Sequence, residues 1–481
     1  MTLAHILFFA LAAMLAGRFA GSRGRGWALL IGSILAIYWL QPALPIRHLD
    51  FWLPTATLGL AVIVWAATRP AEAAPLWRDL PSALALAGTV LGVGLLRYTE
   101  PLCCLTPTPP PDILEIAIGL AGICLLAWLA AHTFPSRPAW TSLLVGALLL
   151  LFVALKTDAL AVSASGWLRG LAGQKSELAS ALDIRWLGFS YIAFRLIHTL
   201  RDRLAGRLPD LSLQAYLVYI LFFPAITAGP IDRVQRFVQE LDQPFRLTSD
   251  ELFGGWQRIF KGVFRKFVLA DTLAIWALNT SLSEQVSSPG WLWLVLYAYA
   301  LRLYFDFSGY TDIAIGLGRL LGFNLPENFS HPYRQADLTA FWNSWHITLA
   351  QWFRAYYFNP LTRWLRTTQV KLPLPLIIFI GQVSTMLLIG LWHGVTWNFA
   401  VWGVWHGLGL FIHNRWVELT RPLQARLELH PRLKNLSNLA GTLLTFQYVA
   451  LGWVWFALPS PALSWQVLAR LFGASATGLA P

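Results

Sequence analysis

Residues 374–413, which read LPLIIFIGQVSTMLLIGLWHGVTWNFAVWGVWHGLGLFIH, decide how this chain must fold. They contain two apolar runs, 374–391 and 397–413, and each is close to the length that one helical span of a bilayer needs. The ionisable side chains of the stretch are all histidines, and two of them, His393 and His406, directly follow a tryptophan. Ionisable side chains at membrane depth are costly, and they usually face a cavity in which they have a function. This stretch is therefore the first place to look for chemistry.

The composition of the whole chain is that of a membrane protein. Of its 481 residues, 56% are hydrophobic and only 12% are charged, and the mean hydropathy is +0.55. A soluble domain carries about 25% charged residues, so this chain would expose large aggregating patches in water. The sequence predicts an all-α fold, namely a polytopic integral membrane protein with about 11–14 transmembrane and re-entrant helices around an intramembrane chamber.

Apolar runs of span length recur along the chain. They lie near residues 3–16, 27–44, 51–67, 83–96, 113–132, 139–155, 186–200, 213–228, 268–282, 291–305, 310–323, 374–391, 397–413 and 436–458. The first run lacks the basic flank and the cleavage site of a signal peptide, so we expect a retained helix. Arginines follow the first and third runs, which predicts that these loops are cytoplasmic and that the N-terminus is outside. The proline-rich loop 97–112 and the polar segment 156–185 then also fall outside.

The formal net charge of +12 and the pI of about 9.9 would suit a nucleic-acid-binding protein. The basic residues, however, lie in short loops between apolar runs, which is typical of the positive-inside bias of a membrane protein. We therefore predict contact with membrane lipid and no nucleic-acid partner. The three cysteines, Cys103, Cys104 and Cys124, show neither metal-ligand spacing nor a disulfide framework.

Three polar segments interrupt the apolar runs. Gly229-Pro230-Ile231-Asp232-Arg233 follows the run 213–228, and it is either a loop at the membrane surface or a re-entrant wall of a substrate chamber. The segment 233–266 is basic and amphipathic, so we expect it to lie along the cytoplasmic interface. Its charges either fix the topology and touch lipid headgroups or bind an acidic partner. Residues 341–365 alternate aromatic and polar side chains, which indicates an interfacial or re-entrant helix.

Three tryptophan–histidine pairs, Trp345-His346, Trp392-His393 and Trp405-His406, lie close together in the sequence. A single histidine in a tryptophan-rich helix is usually an interfacial residue, but three such pairs favour a shared function. A metal site has little support, because there is no H-E-x-x-H motif and few carboxylates are nearby, so we predict no metal. Acid–base catalysis suits an imidazole, whose ordinary pKa lies near neutrality.

A series of motifs carries a resemblance to a known family. In chain order they read FFP (222–224), GPIDR (229–233), YFDFSGYTDIAIG (304–316), PENF (326–329), FWNSWHITL (341–349), GLWHG (390–394) and WGVWHG (402–407). Their order and spacing resemble the bacterial membrane-bound O-acyltransferase (MBOAT) family, in particular its D-alanyl transfer and alginate O-acetyltransferase group. The resemblance covers about residues 190–460, and the preceding part is similar only in being hydrophobic.

The resemblance implies roles for individual residues. His393 corresponds to the catalytic histidine of the family, and His346 corresponds to its second functional position. Asn343, three residues before His346, is expected to orient either the ring or a substrate. The other residues expected to support the site or bind substrate are His406, Asp312, Tyr310, Asp232 and Arg233.

The resemblance also implies a reaction. A D-alanyl or acetyl group would move from a cytoplasmic thioester to hydroxyl groups of an extracytoplasmic cell-envelope polymer, with His393 as general base. The donor would be a thioester on an acidic acyl carrier protein, or acetyl-CoA. The acceptor would be the polymer or a partner transferase. No cofactor would be bound. The motif at 229–233 most resembles the D-alanyl branch, and acetyl transfer remains open. The expected location is the bacterial inner or cytoplasmic membrane.

A transporter or flippase of an envelope precursor is the alternative from another class, with the histidines as a proton relay. Transporters often show inverted repeats and paired broken helices, and neither is visible in this sequence. For the domain organisation, we expect N-terminal transmembrane helices in 1–185, the MBOAT catalytic core in 186–465 and a C-terminal tail in 466–481.

Overall fold

The computed structural model describes residues 1–19, 21–70, 72, 74–99, 105–133, 138–369 and 371–474. The secondary structure of these residues is helical, apart from an isolated β-bridge between Phe329 and Trp345. The predicted all-α fold is therefore confirmed. Cys103, Cys104 and residues 475–481 of the expected tail lie outside the described residues.

The chain forms two compact units. The first consists of Met1–Ile259 and Ile313–Leu325, and the second consists of Phe260–Asp312 and Pro326–Pro481. The domain boundaries expected after residues 185 and 465 stay predictions, although one helix, Pro461–Leu471, runs through the second of them.

The first unit begins with long helices and ends with shorter ones. In chain order they are α1 (Leu3–Phe19), α2 (Gly21–Leu40), α3 (Leu49–Ala67), α4 (Leu80–Leu95), α5 (Ile113–Thr133), α6 (Pro138–Lys156), α7 (Asp158–Leu171), α8 (Phe189–Leu204), α9 (Leu213–Leu221), α10 (Val234–Asp242) and α11 (Ser249–Val263). The last residues of α11 already belong to the second unit.

The second unit contains the later helices. They are α12 (Asp271–Ala274), α13 (Thr280–Gln285), α14 (Pro289–Leu320), α15 (Leu338–Trp342), α16 (Ile347–Phe353), α17 (Asn359–Thr367), α18 (Leu374–His393), α19 (Trp397–Leu419), α20 (Arg421–Glu428), α21 (Pro431–Ala457) and α22 (Pro461–Leu471). Two π-helical segments, Phe264–Ala270 and Arg354–Phe358, precede α12 and α17. Helix α14 enters the first unit at Ile313.

Within the described part of the chain, six helices are long and apolar enough to cross a membrane. They are Leu49–Ala67, Leu76–Tyr98, Ile113–Thr133, Pro138–Lys156, Leu374–His393 and Pro431–Ala457. Shorter apolar helices occupy Leu3–Arg18, Gly24–Leu40 and Leu213–Ala225. This pattern confirms the prediction of a polytopic membrane protein.

The spans of the first unit differ in burial. The most apolar stretch of α3 is 72% buried, whereas those of α5 and α6 are 17% and 11% buried. Side chains such as Ile118 on α5 and Leu150 on α6 are exposed although they are large and apolar. Such surfaces are stable only in lipid, so α5 and α6 are placed to face the bilayer while α3 lies in the interior of the unit.

Two predicted spans are wrong because they form a single helix. The runs 291–305 and 310–323 both belong to α14, which continues through the polar residues between them. Between the two runs, Asp306 accepts a hydrogen bond from Lys266 Nζ. Within the second run, Asp312 Oδ2 accepts from Arg265 Nη1 at 2.7 Å. A carboxylate that is paired with a cation can lie within a helix. In the sequence, however, a polar segment between two apolar runs looks like a loop between two helices.

The predicted span 268–282 is also wrong. It contains the end of a π-helical segment, α12 and the start of α13. The side chain of Asn279 caps α13 by accepting a hydrogen bond from Leu282 N at 3.0 Å. A capping asparagine marks the beginning of a new helix, and here it lies inside the apolar run.

The two amphipathic segments are divided more finely than expected. Segment 233–266, which we expect to lie along the cytoplasmic interface, forms α10, α11 and the start of a π-helical segment. Segment 341–365 forms parts of α15 and α17, with α16 and a π-helical segment between them. The interruption between α15 and α16 places His346 at the end of a helix rather than inside one.

A buried arginine stabilises the break in the run 213–228. Helix α9 ends at Leu221, several residues before the Gly-Pro pair that marked the expected break. The Arg195 side chain of α8, only 2% exposed, donates from Nη1 to Tyr219 O and Ile220 O and from Nη2 to Ala225 O. These carbonyls would otherwise lack partners, which is tolerated poorly in a membrane protein.

We predict that Arg195→Leu destabilises the protein. The change leaves carbonyl groups buried without donors, at a cost of about 3 kcal/mol or more in the free energy of unfolding. Thermal unfolding of the detergent-solubilised protein should show a clearly lower midpoint. Arg201→Leu is the matched control, because Arg201 lies exposed on the same helix. Equal midpoints for the two variants would contradict the structural role of Arg195.

Candidate active site

Helices α18 and α19 pack closely enough to exclude side chains between them. A Cβ atom at Gly390 would lie 2.2 Å from Phe399 O, and a Cβ atom at Gly403 would lie 2.5 Å from Met386 O. Small residues at such positions let membrane helices approach each other closely. The turn between the two helices is capped by Thr396, whose side chain accepts from Phe399 N. The C-terminal residue of α18 is thereby fixed, and that residue is His393.

His393 lies on an aromatic surface and is half-buried. The ring centroids of Trp392, Phe456, Trp402 and Phe399 lie 4.6, 4.7, 5.7 and 5.8 Å from that of His393. Aromatic neighbours on several sides restrict both the water and the rotamers available to the imidazole. The position at a helix end leaves part of the ring accessible, as a group that exchanges protons with a substrate requires.

His346 has an unusual backbone conformation. It precedes α16 with φ 43° and ψ 52°, in the left-handed region that a residue with a side chain seldom adopts. Its side chain is buried, and neither ring nitrogen has a hydrogen-bond partner among the described residues. Strain of this kind costs about 1–3 kcal/mol and persists only where the surroundings impose it, often at functional sites.

Asn328 of the PENF motif holds the chain directly after His346. Its backbone oxygen accepts from Ile347 N at 3.0 Å, and its Oδ1 accepts from Thr348 N at 3.2 Å and from Thr348 Oγ1 at 2.6 Å. Asn328 is fully buried. In the sequence Asn328 is visible only as part of a motif, because its spacing does not indicate that it fixes the chain beside a histidine.

Two indole rings connect the three histidines of the tryptophan–histidine pairs. The ring of Trp392 lies 6.1 Å from that of His346 and 4.6 Å from that of His393. The ring of Trp402 lies 5.7 Å from His393 and 4.9 Å from His406. The structure therefore brings together the histidines that the sequence singled out, with tryptophans rather than carboxylates between them.

His346 lies between two short helices, outside the membrane-spanning helices. Burial lowers the pKa of His346 well below its ordinary value, and the nearby imidazole of His393 lowers it further. The ring is therefore neutral near pH 7, with one nitrogen able to donate and the other able to accept a hydrogen bond.

His406 is completely buried in an aromatic cage in α19. The rings of Trp342 and Trp402 lie 5.1 and 4.9 Å from it, and neither of its ring nitrogens has a partner among the described residues. Gly452 of α21 makes room for the ring, because a Cβ atom there would lie 2.7 Å from His406 Nε2. The sequence gave no reason to single out Gly452, which lies far along the chain from the histidine motifs.

Asn343 interacts with an arginine. Its Oδ1 accepts a hydrogen bond from Arg354 Nη2 at 2.7 Å, whereas neither ring nitrogen of His346 has a hydrogen-bond partner in the described part of the chain. Arg354 opens a π-helical segment, a feature that is frequent at functional sites. Asn343 lines both a cavity of about 180 Å³ and a larger cavity of about 920 Å³. An orienting role toward a substrate stays a prediction.

The expected supporting residues of α14 take part in buried pairing. Asp312 is buried and accepts from Arg265 Nη1 at 2.7 Å, with Lys261 Nζ at 4.0 Å from the same carboxylate oxygen. Tyr310 is also buried. Asp312 therefore connects α14 to the π-helical segment that precedes α12, and its role in substrate binding stays a prediction.

Asp232 and Arg233 belong to the first unit. The buried Asp232 carboxylate accepts from Arg236 Nε at 2.9 Å, and its backbone oxygen accepts from Tyr219 Oη at 2.8 Å. Arg233 is exposed. These contacts brace the loop at 229–233, and a substrate role for either residue stays a prediction.

No group of three or more His, Cys, Asp or Glu side chains within the described ranges is arranged to hold a metal ion. The absence of a metal stays a prediction. The chemistry available to the histidine cluster is that of imidazoles in an aromatic environment, which suits proton transfer and hydrogen bonding.

Long apolar helices define a multi-pass membrane protein, and a cluster of histidines is its candidate site. The chain belongs to the membrane-bound O-acyltransferase family, whose model matches residues 118–449. The resemblance noted in the sequence is thus confirmed, and the match begins well before the first motif.

The chain is similar to several curated enzymes. It is 34% identical over 288 residues to a probable alginate O-acetylase AlgI of Azotobacter vinelandii, covering 60% of this chain and 53% of that protein. It is 32% identical over 287 residues to a teichoic acid D-alanyltransferase of Streptococcus thermophilus, covering 57% and 68%. It is 32% identical over 276 residues to a peptidoglycan O-acetyltransferase of Helicobacter pylori, covering 55% and 47%. The chain matches about half the length of the alginate O-acetylases.

We predict that Asn328→Ala impairs acyl transfer more than it impairs folding. The change removes the acceptor for Thr348 and releases the left-handed backbone of His346, so the rate should fall about tenfold or more. Transfer of a labelled acyl group and the thermal midpoint should both be measured. Asn435→Ala, at an exposed asparagine of α21, is the control. Normal transfer by Asn328→Ala would show that this contact does not position the site.

Proposed function

We propose that this protein is an O-acyltransferase of the bacterial inner or cytoplasmic membrane. It transfers a small acyl group, acetyl or D-alanyl, from a cytoplasmic thioester to hydroxyl groups of an extracytoplasmic envelope polymer. Membership of the family supports the reaction class, and the names of the relatives include both acyl groups. The observation that carries the proposal is the pair His346 and His393, which flank the ring of Trp392, with His346 buried and His393 half-buried.

In this mechanism His393 is the general base. Its imidazole takes the proton of the acceptor hydroxyl while the hydroxyl oxygen attacks the carbonyl carbon of the thioester. The C–S bond then breaks, and the protonated His393 returns the proton to the departing thiolate. The ester bond forms on the acceptor, and the enzyme regains its initial state.

His346 stabilises the developing oxyanion or positions a reactant. A neutral imidazole has one N–H group to donate, and a donor fixed in a dry site stabilises negative charge better than one in water does. The rigid backbone around His346 supports this role, because a donor that is already oriented needs little reorganisation during the reaction. His406, enclosed by tryptophans, supports the cluster through packing.

Two adjacent cavities support the proposal that the substrate is a small acyl group on an extended donor. The cavity of about 180 Å³ is lined by Asn343, by Ala350 one turn after His346, and by Ile389 one turn before His393. The cavity of about 920 Å³ shares Asn343 with it and carries several amide side chains. The narrow cavity, lined by residues one helical turn from His346 and from His393, fits an acyl group, and the wider polar cavity fits the donor arm.

We predict that His393→Ala lowers acyl transfer by about 10²–10⁴-fold without affecting membrane insertion, because the general base is lost. The assay supplies labelled acetyl-CoA and a labelled D-alanyl carrier thioester in separate reactions. The exposed His430 provides the control variant His430→Ala. Label in an ester on the external polymer supports the enzyme and identifies the acyl group. Near-normal transfer by His393→Ala would contradict the assignment of His393 as the general base. Label found only in free translocated substrate would favour the transporter alternative.

An acidic acyl carrier protein is the proposed donor partner, and exposed basic side chains of the segment 233–266 support a docking surface for it. In the basic segment 233–266, Lys261 and Arg265 lie beside Asp312, so their charges are partly neutralised. Arg233 and Arg246 of the first unit are exposed and form no ion pair with any described residue. These two arginines are therefore the charges best placed to attract a carrier.

We predict that Arg233→Glu combined with Arg246→Glu weakens carrier binding and reduces its salt dependence. Exposed charge pairs accelerate association and are screened at a Debye length of about 8 Å at physiological ionic strength. Binding should be measured across a salt series, with the exposed Lys175→Glu as control. If the affinity and its dependence on salt concentration equal those of the wild type, the remaining interpretation is that these charges contact lipid headgroups.

A further inference from the structure

A further cavity lies in the first unit, which contains none of the three clustered histidines. Its volume is about 490 Å³, and four parts of the chain line it. They are the loop between α2 and α3, the end of the segment Leu76–Tyr98, the start of α5 and the C-terminal end of α7. The side chains that matter for its chemistry are Arg47, His48, Arg97, Glu115, Leu168 and Leu171.

The cavity lies at the depth of a membrane surface. The span Leu49–Ala67 begins there, the span Leu76–Tyr98 ends there, and the span Ile113–Thr133 begins there. Three successive spans thus place their ends on the same face of the membrane. A cavity at this depth meets the headgroup region on one side and the hydrocarbon boundary on the other.

The walls of the cavity are braced by hydrogen bonds between distant segments. Gln174 joins the end of α7 to the loop before α3, since its Oε1 accepts from Arg47 N and its Nε2 donates to Pro45 O, both at 3.1 Å. Arg97 Nη1 donates to Pro110 O at 2.6 Å. His48 has a left-handed backbone, with φ 61°, and its Nδ1 lies 3.1 Å from the backbone oxygen of Pro109.

A further contact fixes the proline-rich loop to the start of α3. The carboxylate of Asp50, which is 1% exposed, accepts from Thr108 N at 3.0 Å. Four segments are therefore held in place around the cavity before any ligand arrives. Such preorganisation lowers the ordering cost of binding.

Two opposite charges in the cavity lack partners. The Arg47 guanidinium and the Glu115 carboxylate are exposed and form no ion pair with each other or with any other described residue. Asp112, in contrast, already accepts from Leu114 N and Tyr98 Oη. Leu168 and Leu171 supply an apolar wall beside the charges. The cavity thus presents a cation, an anion and an apolar surface together.

We propose that this cavity binds the headgroup of a zwitterionic phospholipid that carries a primary amine. The phosphate is held by the guanidinium groups of Arg47 and Arg97, and the ammonium group is held by Glu115. An ammonium group with N–H donors fits a carboxylate better than a quaternary amine does, because it forms charge-assisted hydrogen bonds. The acyl chains leave along Leu168 and Leu171 toward the hydrocarbon.

The test uses the full chain in nanodiscs that contain equal amounts of phosphatidylethanolamine, phosphatidylcholine and phosphatidylglycerol. Lipid retained on the protein is counted by native mass spectrometry after delipidation. The expected result is preferential retention of phosphatidylethanolamine by the wild type. Arg47→Ala and Glu115→Gln should each reduce that retention about tenfold, since each removes a charge-assisted contact.

The control variants are Arg185→Ala and Glu177→Gln, which change exposed charges of the same unit outside the cavity. The proposal is overturned if these controls lose phosphatidylethanolamine as strongly as the cavity variants do, or if all three lipids are retained equally. Free phosphoethanolamine is the competitor that distinguishes a soluble ligand from a lipid. Displacement of the lipid by this compound at equal concentration would overturn the lipid assignment.

Discussion

The requirement that backbone polar groups find partners inside the protein governs this structure. Long apolar helices meet it by themselves, because their hydrogen bonds run within the helix. Where a helix is interrupted, a side chain must replace the missing backbone partner. Arg195 does so at the end of α9, and Asn328 does so at the start of α16. The second replacement fixes the backbone next to His346, so the fold and the site depend on the same physical requirement.

Packing of aromatic rings is the second feature that shapes the site. Trp392 and Trp402 separate three histidines that would otherwise compete for the same space, and they leave little room for water. In such surroundings the neutral form of an imidazole is favoured over the charged form. The histidines can therefore act as bases and donors without a carboxylate to hold a proton beside them. Glycines on α18, α19 and α21 make this dense arrangement possible.

The sequence allowed much of the fold to be predicted, because length and hydropathy identify spans such as α3, α5 and α18 without knowledge of their neighbours. It also singled out His346, His393 and His406, since an ionisable residue in an apolar stretch is conspicuous. Prediction from the sequence failed where the conformation of a residue depends on a contact with another residue far along the chain. Helix α14 looked interrupted at Asp306 because the cationic partner of this carboxylate, Lys266, belongs to another element. Gly452 became visible only once α21 was placed against His406.

The left-handed backbone of His346 has a consequence for how this protein can change. Glycine or asparagine would adopt that conformation more easily, so the position keeps histidine at some cost in stability. A variant selected only for resistance to heat would tend to lose the imidazole, and a variant selected only for catalysis would retain the strain. Under the role proposed for His346, stability and activity are therefore opposed at this single residue, and improving one through it means giving up part of the other.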